Sequence, residues 1–333
     1  MHQNDIFILK IDNLSGKTPI KEPMKPFRKN VAIAIDGGGI RGIIVTQALS
    51  ILEKALEKPV HDIFRLVVGT STGSIISAGI AAGVTANRMT QVYIDMGKSI
   101  FPNTLRKMLF PLTRYRYPVK PLSNALNNQF GKLKMGEFWE KNPRTDLVIT
   151  TFDLEENRTK FIKPWKVEYK DWLVLKAVQA SCTVPTYFPA VDRRYIDGGI
   201  GSYGNPCYIA AYEAKECLNW DPTDTTLISI GTGRSPYTFI AETAPRLWAW
   251  NWIGRIFGVY MQSAYDQQVH LVETYFNELD FRRFQINLRE PIEMDDVHQI
   301  EHLVAYGARL GRMILNDKTD SSQGIIIKHP GYF

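Results

Sequence analysis

The chain is short of cysteine. Cys182, Cys207 and Cys217 are three thiols among 333 residues. So sparse and odd a set argues against a disulfide framework and fits a reducing cytoplasm. No Cys/His spacing resembles a zinc site, so no metal is expected. No apolar run reaches the roughly 20 residues that a spanning helix requires. The N-terminal stretch MHQNDIFILKIDN carries an acid and lacks a long apolar run, unlike a secretory signal. No internal repeat or low-complexity tract is present, which argues against a solenoid.

The most local absence is of acid. Lys98, Arg106, Lys107, Arg114, Arg116, Lys120, Lys132 and Lys134 fall in a window with no Asp or Glu, in a chain of net charge +6. That window alone carries more than the whole surplus. Such a face suits an anionic lipid surface or a phosphate-bearing ligand, and a solvated loop with a chance bias accounts for it equally well. DNA and RNA are not expected as partners.

What is present is an ordinary globular composition, 44% hydrophobic and 22% charged, as a soluble enzyme has. VAIAIDGGG reads as a buried strand feeding a tight turn, and IIVTQALSILEKALEK as an amphipathic helix. IFRLVVGTS is a second buried strand, and GSIISAGIAAG a small-residue helix packed on a sheet. DLVITTFDL and TLISIGTG are further strands, and QIEHLVAYGARLGRMIL is helical. Alternating strands and helices predict a three-layer α/β/α fold with a mostly parallel central sheet. One domain is expected over 1–333, with its motifs at about 30–235 and a helical remainder at about 236–333 that completes or caps it.

Residues 35–42, IDGGGIRG, fit the G-x-G-x-x-G of a dinucleotide-binding turn. That reading needs an acid about 20 residues on, at the tip of the second strand, to bind a ribose. The second strand ends in GTSTG instead, and Glu53 and Glu57 fall on the intervening helix. An oxidoreductase reading therefore fails at its most discriminating position. GTSTG fits G-x-S-x-G, a sharp strand-to-helix turn that lifts Ser71 between Gly69 and Gly73. A serine nucleophile needs an oxyanion hole, and the backbone of Gly37, Gly38 and Gly39 is a candidate. Arg41 either braces that loop or forms a salt bridge. In YIDGG, Asp197 before Gly198 and Gly199 is a candidate base, and an Asp-Gly turn explains the same residues.

Taken together, DGGGIRG at 36–42, GTSTG at 69–73, QASCTVPTYFPAV at 179–191, DGG at 197–199 with Asn205-Pro206 beyond, and SIGTG at 229–233 resemble the patatin-like phospholipases, in the family's order. The resemblance implies a Ser71–Asp197 dyad, an oxyanion hole at Gly37–Gly39, and metal-free hydrolysis of lipid acyl esters. Cys182-Thr183-Val184 departs from the small residues usual before the proline. An aspartate base is weak in water and must work in a desolvated site. The rival is a Ser–Asp–His triad drawn from His270, His298 or His302.

Two segments bear on how a lipid would be reached. RLWAWNWIGRIFGVYM, with Trp248, Trp250 and Trp252, reads first as a buried helix or subunit contact and second as an interfacial segment. FPNTLRKMLFPLTRYRYP reads as an irregular lid or membrane-facing loop. Membrane phospholipids are thus the expected partners, met from the cytoplasmic side, and a homo-oligomer is also considered. The resemblance extends to antiphage effector phospholipases switched on by cyclic oligonucleotides. A cyclic dinucleotide is therefore a candidate activator, with the 98–134 segment as its pocket.

Overall fold

NVAIAI alternates between two neighbours, and that alternation organises the molecule. A computed structural model describes residues 24–102, 105–110, 112–140, 145–236 and 245–320. Within it, strand β1 (Asn30–Ile35) sends Val31, Ile33 and Ile35 into one apolar cluster and Ala32 and Ala34 into another. A strand buried on both faces must be covered by helices on both, as in parallel α/β sheets.

The strands are β1, β2 (Leu66–Gly69), β3 (Asp146–Asp153), β4 (Arg158–Ile162), β5 (Tyr195–Asp197), β6 (Thr225–Ile230) and β7 (Asp280–Phe284). They form a sheet in the order β4-β3-β2-β1-β6-β7, with β5 also paired to β3. The β1–β2, β2–β3, β1–β6 and β6–β7 pairs are parallel, and β4 and β5 lie antiparallel to β3. The main helices are α1 (Gly42–Leu56), α2 (Thr72–Ala81), α3 (Ala86–Ile100), α4 (Lys120–Phe130), α5 (Val174–Cys182), α6 (Cys207–Tyr212), α7 (Ala249–Tyr275) and α8 (Ile300–Leu315).

One face of the sheet packs on the larger cluster, to which α1 gives Ile43, Leu49 and Leu52 and α8 gives Leu303 and Leu310. The other packs on α6 and the C-terminal half of α7 through Ile209, Ala210, Val269 and Val272. Ala32 and Ala34 leave room on that face for α6. The result is the expected α/β/α sandwich with a mostly parallel sheet.

The region after 235 holds more than helices. DFRRF forms β7, which extends the sheet beyond β6. Its two arginines hid the strand pattern. Both are buried, Arg282 against Asp280 and Arg283 against Asp36. The tryptophan-bearing helix also runs further than its sequence suggested, to Tyr275.

Candidate active site

The crevice lies beyond the carboxyl ends of β1, β2 and β6, where open α/β sheets hold their ligands. β2 delivers Ser71 there with φ 55° and ψ −126°, a strained conformation for a residue bearing a Cβ. The flanking glycines have no substitute. A Cβ on Gly69 would stand 2.2 Å from the Gly73 carbonyl, and one on Gly73 would stand 2.2 Å from that of Ile35. α2 begins directly after Ser71, so its positive end faces the crevice.

The elbow is held from the end of α5 and the residue after it. The Ser71 N–H donates to Ser181 Oγ at 2.9 Å, and Cys182 Sγ donates to the Ser71 carbonyl at 3.0 Å. Burial pushes the Cys182 thiol up, which keeps the proton it donates. Next in the chain, Thr183 accepts the Asp197 N–H at 3.1 Å. Three consecutive residues thus fix the backbones of both Ser71 and Asp197. The Cys182 departure from the family pattern is part of that strut. Its role was not legible from sequence, because it depends on a fold-level contact.

Asp197 ends β5 and is buried, 4% exposed. Its Oδ1 accepts the Gly199 N–H at 2.8 Å, at the start of the 3-10 turn Gly198–Gly201. Its Oδ2 is buried with no well-directed donor. Burial raises the carboxyl to about 6, while the nearby Ser71 hydroxyl and the Gly199 N–H pull it back down. The serine therefore lies near enough to feel the carboxylate without closing an ideal hydrogen bond. Among the described residues no histidine is bonded to either group. His270 contacts Thr274, His302 contacts Gln299, and His298 is exposed.

The glycine loop lies beside Ser71. A Cβ on Gly37 would be 3.1 Å from the Ser71 Cβ. Gly37 itself is not a free donor, since its N–H goes to the Gly204 carbonyl at 2.9 Å and its carbonyl accepts Thr232 Oγ1 at 2.6 Å. This corrects the three-glycine expectation. Gly38 and Gly39 have N–H groups with no partner among the described residues, whereas Ile40 N–H is taken by the Met294 carbonyl. Gly39 has φ +60° and packs so closely on Met294 that a Cβ would fall 2.3 Å from its carbonyl oxygen.

Beneath the loop, Asp36 receives Arg283 through both guanidinium nitrogens at 2.8 and 2.6 Å. Arg283 also donates to Ser229, which bonds Asn205 at 3.3 Å. The DGGGIRG, SIGTG and Asn205-Pro206 motifs therefore meet at Arg283, a residue that sequence reasoning missed. Arg41 braces the loop through the Gly38 carbonyl at 3.4 Å and reaches Ser235 at 3.3 Å, with no ion pair among the described contacts. Tyr265, on the inward face of α7, was also missed. It presses on Gly204 and brings its hydroxyl to within 3.7 Å of where a Gly37 Cβ would lie.

From Ser71 an almost wholly apolar pocket runs between α3 and α4, past Ile75, Met96, Ile100, Leu122, Leu126 and Phe188. The basic segment borders its lining, with Tyr117 packed on Phe101 and Phe188. Arg116 lies between the rings of Phe110 and Tyr187, at 4.9 and 4.5 Å. Asp295, buried, gathers Tyr117 at 2.6 Å, Lys107 at 3.0 Å and Arg116 at 3.7 Å. Arg114 and Lys120 are exposed. Trp248 and Trp252 are exposed too, which overturns the buried-helix reading of that segment. The side chains of Arg106 and Trp250 lie outside the described residues. Glu53, the misplaced ribose candidate, caps two backbone N–H groups, Val60 and Ala86, at 2.9 Å each. Among the described residues no cluster of His, Cys, Asp and Glu could hold a metal ion, and no helix is long and apolar enough to cross a membrane.

A family model described as patatin-like phospholipase matches residues 33–211, over half of the chain. The chain belongs to the patatin-like phospholipase family. It is 31% identical over 226 residues to an intracellular phospholipase A2 of Caenorhabditis elegans, covering 62% of this chain and 20% of that protein. It is 26% identical over 235 residues to a cGAMP-activated phospholipase of Vibrio cholerae, covering 62% of this chain and 65% of that one. With patatin group J-1 of Solanum tuberosum the match is 24% over 328 residues, 84% of this chain and 82% of the other. The chain thus spans less than two thirds of the first two relatives. The family hydrolyses its substrates without a cofactor.

Proposed function

We propose that the chain is a lipid acyl hydrolase of the phospholipase A type, with Ser71 as nucleophile and Asp197 as base. One observation carries the reading: a serine on a strained elbow lies close enough to a buried carboxylate to stabilise its charge, and one oxygen of that carboxylate has no well-directed donor. In the first half-reaction Asp197 takes the hydroxyl proton as Ser71 Oγ bonds to the ester carbonyl carbon. The Gly38 and Gly39 N–H groups receive the developing oxyanion. Collapse expels the alcohol, which regains the proton from Asp197. Water then attacks the acyl-enzyme by the same route and releases the fatty acid. The apolar pocket beyond Ser71 suits the acyl chain. The absence of a histidine partner at Asp197 among the described residues favours a dyad over a triad.

The likeness to the Vibrio protein supports a gated form of this reading. In it a cyclic dinucleotide switches on hydrolysis of membrane phospholipids from the cytoplasmic side, as an antiphage response, using the basic segment that holds Arg114 and Lys120. The test is turnover of a fluorogenic acyl ester and of phospholipid by wild type and Ser71→Ala, with and without a panel of cyclic dinucleotides. Equal rates for the two proteins would overturn the hydrolase reading. Full wild-type activity without nucleotide would sink the gating alone.

A further inference from the structure

α7 has two unlike faces. Met261 and Tyr265 turn inward, onto Gly199 and Gly204 of the crevice. On the opposite face of its first half, Trp248 (67% exposed), Trp252, Ile256 (58%), Val259 and Tyr260 are open to solvent. Their spacing of four, four, three and one places them along one side of a helix. A second exposed apolar group lies within the basic segment: Met108 (74%), Leu109 and Leu112 (88%). Both groups adjoin the crevice. Tyr260 hydrogen-bonds Ser202, five residues after Asp197. Phe110, between Leu109 and Leu112, packs on Arg116, whose other face covers the pocket residue Tyr187.

Both ridges lie in stretches without acid. Residues 96–136 contain no Asp or Glu, and neither do residues 243–265, which carry Arg246 and Arg255. In a chain of net charge +6, a symmetric pairing of two copies through these ridges would set like charge against like. An anionic bilayer supplies the opposite charge and also an apolar phase for the side chains.

We infer that the two ridges, Met108, Leu109 and Leu112 on one side and Trp248, Trp252, Ile256, Val259 and Tyr260 on the other, seat the protein on an anionic lipid bilayer with the Ser71 crevice between them. The inference rests on the lipid acyl hydrolase reading and names the surface through which that site meets its substrate. Seated this way, a phospholipid need move its acyl ester only a short distance out of the leaflet to reach Ser71.

The test uses the full chain carrying Ser71→Ala, so that lipids stay intact, with and without Leu112→Ser, Trp248→Ser and Ile256→Ser. Co-sedimentation is measured with phosphatidylcholine vesicles, with and without phosphatidylglycerol. The parent should bind the phosphatidylglycerol vesicles, more weakly at high salt, and the triple variant should bind at least about tenfold less tightly. In proteins with Ser71 intact, the three substitutions should leave turnover of a soluble monomeric ester unchanged, which shows that the fold survives. Equal vesicle binding by parent and triple variant would overturn the inference. So would a parent that ignores vesicles, or one that runs as a dimer dispersed by the three substitutions. Ester turnover surviving Ser71→Ala would overturn the catalytic reading instead, whatever the vesicles show.

Discussion

Replacing Asp197 by Asn should destroy activity and stabilise the protein. In the folded chain burial holds the carboxyl at about 6, against 3.8 for the free group. Both states bind the proton below about pH 4, so the group has no net effect there. Between 3.8 and 6 the folded state keeps a proton that the unfolded state has lost, and stability falls as pH rises. Above about 6 both are ionised and the full cost is present. Holding the ionised carboxylate in this buried place costs the fold about 3 kcal/mol. Asparagine removes the charge and keeps the shape. Its Oδ1 can still accept the Gly199 N–H, and its amide nitrogen, in the place of an Oδ2 that now lacks a well-directed donor, can donate to Ser71 Oγ. The assay is denaturant unfolding of wild type and Asp197→Asn from pH 4 to 8. The curves should meet near pH 4, diverge up to about 6 and run parallel above it, with the variant more stable. The kcat/KM of wild type should rise with pH over the same range to a plateau, because only the ionised base works. A variant less stable at pH 8, or a difference independent of pH, would refute the claim that this carboxylate is held charged at a cost.

Ser181→Ala leaves the buried Ser71 N–H without its acceptor. It should lower kcat with little change in KM and cost roughly 1–3 kcal/mol, and Ser181→Thr should recover much of the loss. Arg283→Met strands Asp36 beneath the glycine loop. About 3–5 kcal/mol of unfolding free energy should disappear, measured by denaturant titration, and turnover should fall with it. Ala125→Phe places a ring in the apolar pocket, so the ratio of short-chain to long-chain ester hydrolysis should rise severalfold in a chain-length series.

Sequence alone reached the parts of this molecule where local chemistry and position coincide. The buried runs NVAIAI and LVVG became central strands because nothing polar interrupts them. GTSTG became the elbow because only glycine tolerates the approach of Gly69 to Gly73. β7 was missed because DFRRF carries its charge inward, and that charge is satisfied by Asp280 within the strand and by Asp36 and the Lys25 and Pro26 carbonyls, far away in the chain. In the glycine loop, sequence offered Gly37, Gly38 and Gly39 as equal candidate donors, though the Gly37 N–H is already taken. That Gly37 spends its N–H on Gly204 is a tertiary fact. The tryptophan helix was misjudged for a related reason. Helical spacing shows that a stripe is apolar, but the faces taken by the crevice decide which stripe is left outside.

The site also explains why the motifs are scattered over two hundred residues. A strained serine and a desolvated aspartate each tend to relax, the first by rotating its backbone and the second by moving toward water. Each is opposed by a different strand end, and the two strands are not neighbours: β2 carries Ser71, while β5 hangs on β3. Ser181, Cys182 and Thr183 bridge that gap with hydrogen bonds to both backbones. On the far side, Thr232 and Gly204 clamp Gly37 while Met294 clamps Ile40, and the Gly38 and Gly39 N–H groups between them have no partner among the described residues. Met294, which lines the pocket, adjoins Asp295, the carboxylate that holds Lys107, Arg116 and Tyr117. The glycine loop and the basic segment therefore hang from one turn. A force on the basic segment would reach the glycine loop through ion pairs at Asp295, one peptide bond and the Ile40–Met294 hydrogen bond, and none of these links passes through Ser71 or Asp197.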